Sequence, residues 1–157
     1  MNPPEINLVM AWIWILLGFL SGLGLGLFFQ REGWLGGYAS HKRRLLRLCH
    51  ISFFGLGFVN FCFYFTAHAI GMSGAILQLA SWSLIVGAIS MPLCCVVMAF
   101  FHRSLPLFSV PVINLLIGAI FTVLAVIQQD HRYRSGADTV GARQAVTSNH
   151  SREPGSL

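Results

Sequence analysis

From Leu8 to Phe29 the chain carries no charged side chain, and three further apolar runs of similar length follow it. Crossing the hydrocarbon core of a bilayer takes about 20 apolar residues for about 30 Å. The residues between these runs hold nearly all the charge, at Arg31 to Arg47 and after Gln129, with Arg103 standing alone. Only 10% of the residues are charged and 55% are hydrophobic, against about 25% charged in an average soluble domain. A mean hydropathy of +0.70 completes a balance that excludes a soluble fold.

The expected fold is therefore all-α, an integral membrane bundle of four transmembrane helices with a disordered C-terminal tail. Residues 1–127 form the bundle, with spans at about 8–29, 46–70, 75–101 and 107–127, and residues 128–157 form the polar tail. The N-terminal stretch carries an acid, Glu5, where a secretory signal would be basic, so the first span is expected to stay in the mature protein. Gly71-Met72-Ser73-Gly74 reads as a tight turn, and Pro92 is expected to kink the third span.

Gly18, Gly22 and Gly26 recur at spacing four, a doubled G-x-x-x-G that admits a close helix neighbour. That neighbour is expected within the chain, the alternatives being a second copy or another membrane subunit. Trp34 and Tyr38 belong at the headgroup level. Lysine and arginine crowd residues 30–47 and recur at Arg103, whereas the second loop and the N-terminus have none. The bias places loops 30–47 and 102–106 in the cytoplasm and both termini outside a bacterial inner membrane. Arg132, Arg134, Arg143 and Arg152 in the tail run against it, diluted by Asp130, Asp138 and Glu153. The net charge of +5 accompanies no nucleic-acid motif, so the partner is the lipid bilayer and not nucleic acid.

Polar side chains inside a span are costly and mark either packing or function. Apart from Arg47 at the cytoplasmic edge of the second, the spans lack Asp, Glu, Lys and Arg, which argues against a proton pump or ion-coupled carrier. Asn60, Gln78 and Asn114 read as interhelical hydrogen-bond partners. On the fourth span Pro111, Asn114, Gly118, Thr122 and Ala125 share the face expected to meet other helices, with Ile113, Leu116, Ile120 and Leu124 toward lipid.

His50 and His68 stand eighteen residues apart on one helix, about 27 Å along the axis, too far to share a metal. Met91, Cys95, Met98 and His102 form one stripe on the third helix. If the turn makes the second and third helices antiparallel, His102 is expected at the level of His50. Two chemistries would use this. Bis-histidine haem b would take His50 and His102 as axial ligands, with Arg43, Arg44 or Arg47 on the propionates. A copper(I) site would take Met91, Cys95, Met98 and His102. Neither spacing is specific, and the pattern favours no cofactor. Cys49-His50 is not the end of a haem-attachment motif, because position 46 is leucine. Cys94-Cys95 is not a C-x-x-C pair, the cysteines imply no extracellular disulfide framework, and no Ser-His-acid set, phosphate-cradling loop or carboxylate pair is present.

The segment Arg43-Arg44-Leu45-Leu46-Arg47-Leu48-Cys49-His50-Ile51, with Phe54-Gly55-Leu56-Gly57, Asn60 and the preceding Gly36-Gly37-Tyr38, resembles uncharacterised bacterial four-span inner-membrane proteins. The resemblance implies a polytopic membrane protein and carries no activity. The expected function is a non-catalytic subunit or assembly factor of a larger membrane complex, for example a respiratory one. A haem b electron-transfer protein and a copper or small-molecule carrier are the alternatives.

Overall fold

A computed structural model of the chain describes residues 2–101 and 105–150, with backbone alone for 105 and from 134 onward. The described residues form four long helices and no strand: α1 (Pro3–Phe28), α2 (His41–Ala69), α3 (Gly74–Phe100) and α4 (Ser109–His150). Each supplies a segment long and apolar enough to cross a membrane, the last, Pro106–Tyr133, beginning in the turn just before α4. At 1.5 Å per residue the 26 to 29 residues of these segments reach about 39 to 44 Å, which exceeds the hydrocarbon core and is accommodated by tilt. The chain is thus a four-helix polytopic membrane protein.

Local chemistry sets the ends. α1 starts on Pro3 and Pro4, whose missing N–H groups cost nothing in a first turn, and Asn2 N–H donates to the Glu5 carboxylate at 3.0 Å. α2 begins at His41 because Ser40 caps it, its hydroxyl accepting the Arg43 N–H at 3.3 Å. The basic cluster therefore lies inside the helix and not before it, five residues ahead of the expected start of the span. α2 stops in a Schellman arrangement: Gly71 takes φ 60°, and Met72 N–H reaches back to the Ala67 carbonyl at 2.9 Å. Met72 then covers the small core of Phe63, Ala67, Ala80 and Leu84.

The chain divides into two units, one ending at Thr122 and one beginning at Val123. In the first, α1 packs antiparallel to α2 and parallel to α3. Along α1, Pro4, Asn7, Ala11 and Gly18 are buried, with Trp14 and Ser21 half-buried on the same stripe. The alternating spacing of three and four is the seam of a coiled coil, and most of its members are small or polar. Gly18 and Gly22 lie under the chain's own α2: a Cβ at Gly18 would stand 2.8 Å from the Phe54 ring, and one at Gly22 would stand 2.7 Å from His50. Gly26 meets nothing within 4 Å, so the G-x-x-x-G series is used within the molecule for two of its three glycines.

α3 and the early part of α4 interlock through two reciprocal leucine–glycine contacts. Leu115 lies 2.6 Å from where a Cβ on Gly87 would be, and Leu84 lies 2.7 Å from that of Gly118. Pro111 and Gly118 are buried while Ile113, Leu116 and Ile120 are exposed, as the face pattern predicts. In the second unit the backbone stays helical to His150, where the composition from Gln128 reads as irregular. The first proline beyond Pro111 is Pro154, so no residue in that stretch is barred from donating a helical hydrogen bond.

Gly118→Val should lower stability by about 1–3 kcal/mol, because Leu84 has no room to withdraw. Gly26→Ala should be neutral or stabilising by up to about 1 kcal/mol. Thermal melts of the detergent-solubilised protein followed by circular dichroism distinguish the two, and equal melting points for both variants would refute the interlock.

Candidate functional site

Three polar side chains meet where α1, α2 and α3 converge. Asn7 Nδ2 donates to Asn60 Oδ1 at 2.8 Å and to the Ser81 carbonyl at 3.4 Å. Ser81 Oγ donates to Asn7 Oδ1 and lies 3.2 Å from the Pro3 carbonyl. Asn60 Nδ2 turns back to the Leu56 carbonyl of its own helix at 2.8 Å. All three residues are at most 1% exposed. Both Asn7 amide atoms and the Ser81 hydroxyl are thus satisfied, which removes the cost of burying them away from water.

Two turns along α1, Trp14 repeats the device. Pro92 has no N–H, so the Ala88 carbonyl four residues before it loses its helical donor. The Trp14 indole donates to that carbonyl at 3.1 Å, and α3 remains helical through the proline. A neighbouring helix thereby satisfies the group that the proline freed. Asn7–Ser81 and Trp14–Ala88 are offset by the same 74 residues, which fixes the parallel register of α1 and α3.

One further step of seven reaches Ser21, whose hydroxyl lies 3.0 Å from His50 Nδ1. The His50 ring rests on Gly22 and stands edge-on to Phe54, centroids 5.4 Å apart. His50 therefore faces α1. Its neighbour Cys49 faces α3, with Sγ 3.7 Å from the Pro92 carbonyl. At the basic end Lys42 Nζ stands 5.8 Å from the centre of the Phe100 ring. The last residue of α3 is thus level with Lys42, eight residues along α2 from His50, or about 12 Å. His50 is level with the region of Pro92, which its neighbour Cys49 touches. His102 itself lies outside the described residues.

Of the haem set, the His50 ring lies against Gly22 with its Nδ1 3.0 Å from the Ser21 hydroxyl. Of the arginines assigned to propionates, Arg43 and Arg47 fold onto the loop before α2 and Arg44 is exposed. Three residues of the copper stripe are described. Met91 and Met98 are half-buried and Cys95 fully buried, and the thiol that meets Met98 is that of Cys94, Sγ to Sδ 3.7 Å. Among the described residues no group of three or more His, Cys, Asp or Glu side chains is arranged to hold a metal.

The other polar candidates resolve differently. Asn114 donates to Val110 of its own helix at 2.9 Å and not across helices, Gln78 is exposed, and His68 is exposed with Nδ1 3.3 Å from the Tyr64 carbonyl. Asn7, Trp14, Ser21 and Ser81 were not singled out by sequence reasoning. Their signal was the seven-residue spacing of the first three on one apolar helix. No family model, curated protein or solved structure matches the chain.

Trp14→Phe keeps a ring against Phe53, 5.9 Å away, but removes the donor to Ala88. It should cost about 0.6–1.7 kcal/mol. In a Pro92→Ala background the restored amide serves the Ala88 carbonyl, and the cost of Trp14→Phe should fall below half that value. Unfolding in mixed micelles measures both, and equal losses in the two backgrounds would break the link between tryptophan and proline.

Proposed function

We propose that this chain acts as a non-catalytic subunit or assembly factor of a larger complex in a bacterial inner membrane, with loops 30–47 and 102–106 in the cytoplasm and both termini outside. The observation that carries the reading is the fate of the polar groups. Asn7, Asn60, Ser81, Trp14 and Ser21 are committed to joining helices, so they bind the bundle together and are not presented to a substrate. The carboxylates Glu5, Glu32 and Asp130 stand at or beyond the ends of the apolar runs, which supports a role without proton or ion relay.

A subunit also needs a face for its neighbour. The outer side of α1 presents Trp12, Leu16, Phe19, Leu23 and Leu27, and Gly24 and Gly26 have nothing within 4 Å of a Cβ position. An apolar helix face notched by open glycines suits the backbone of another membrane helix.

Purification from native membranes in mild detergent, with quantitative proteomics, should recover a membrane partner in near-stoichiometric amount. Gly26→Leu should reduce that recovery about tenfold while leaving the melting point unchanged, since the side chain projects into open space. Recovery of a free monomer or a homodimer alone, with either variant, would overturn the proposal.

A further inference from the structure

The geometry points to a binding site for the phosphate group of an anionic phospholipid, built from Arg43 and Arg47 at the basic end of α2. This inference does not depend on the subunit reading. Arg43 is only 6% exposed, although it carries a full charge at the edge of a membrane helix. Its guanidinium lies 5.4 Å from the centre of the Trp34 ring, and Nη2 donates to the Arg31 carbonyl. Its Nε–H is buried with no hydrogen-bond partner among the described residues.

Arg47, one turn on, stacks 4.9 Å from the Tyr38 ring and reaches the carbonyls of Arg43 and Tyr38 at 3.4 and 3.5 Å. Among the described residues every hydrogen bond from these two guanidinium groups goes to a carbonyl. Glu32, the one carboxylate between Gln30 and Ser40, is exposed. Cations withdrawn from water without a counter-ion are unfavourable, and the planar guanidinium matches the oxygens of a phosphate.

The surroundings favour a lipid over a free ion. Arg43 and Arg47 line a small pocket of about 40 Å³ together with Leu25, Phe29, Trp34 and Tyr38. Its walls are apolar, which suits the hydrocarbon just below a lipid headgroup and not a hydrated anion. The loop that closes it is held in place by the left-handed backbone of Leu35, Gly36 and Gly37, with φ of 55°, 86° and 93°, and by Trp34 stacked on Phe28 at 5.2 Å. Tryptophan and tyrosine belong at headgroup depth. The N-terminus of the 29-residue α2 adds its partial positive charge, and the exposed Lys42 and Arg44 add diffuse attraction for an anionic leaflet.

Native mass spectrometry of the full chain in detergent tests the site, with phosphatidylglycerol, phosphatidylcholine of the same chains, and inorganic phosphate as probes. The expected result is about tenfold greater retention of phosphatidylglycerol than of phosphatidylcholine, with no adduct from inorganic phosphate. Arg43→Gln and Arg47→Gln should each bring the ratio to within about twofold, while Lys42→Gln leaves most of it. Because Arg43 is buried, Arg47→Gln carries the comparison if Arg43→Gln does not fold. Equal retention of the two lipids, an unchanged ratio in Arg47→Gln, or retention of inorganic phosphate to the same degree would each overturn the assignment.

Discussion

Three buried side chains, Asn7, Asn60 and Ser81, tie α1, α2 and α3 into one bundle. In a bilayer the burial of apolar surface does little to bring helices together, because lipid tails are as apolar as leucine. What remains is close packing and hydrogen bonding, and α1 supplies both from one stripe. Its small residues Ala11 and Gly18 let α2 approach, and its polar residues at Asn7, Trp14 and Ser21 make the bonds. The parallel register of α1 and α3 follows from the two contacts offset by 74 residues.

The two ends of the bundle use polar chemistry differently. Near the N-terminus polar groups find polar partners and are closed off. At the basic end the cations lie on rings: Arg31 on Phe28, Arg43 on Trp34, Arg47 on Tyr38 and Lys42 on Phe100. Cation–π contacts of this kind hold a charge in place while leaving its field available. The first arrangement makes a fold, and the second makes a charged collar at the membrane surface.

Much of the architecture was legible in the sequence because the bilayer imposes a length and a polarity that composition reveals directly. The four spans, the turn at Gly71 and the inward face of Pro111 and Gly118 all follow from that constraint. Asn60 was legible as a packing residue, but Asn7 was not, since it sits one residue outside the apolar run that begins at Leu8. Ser81 and Trp14 were obscured because serine and tryptophan are ordinary in membrane helices, and only the pairing of Trp14 with Pro92 gives the indole its role. The level of His50 against α3 is countable from the turn. From the turn, α2 reaches His50 well before α3 reaches its own end, which comes level with Lys42. Which way His50 points could not be read, because Cys49 and His50 differ by about 100° around the helix and either could have met α3.

The central claim is that Asn7, Asn60 and Ser81 act as one structural unit. It is tested most directly by unfolding free energies of Asn7→Leu, Asn60→Leu and Ser81→Ala, singly and together. Each single change leaves a buried polar partner unsatisfied, whereas the triple change removes all three polar side chains. The account predicts that the triple variant loses at least about 1 kcal/mol less than the three single losses added together. Strict additivity of the three losses would contradict it.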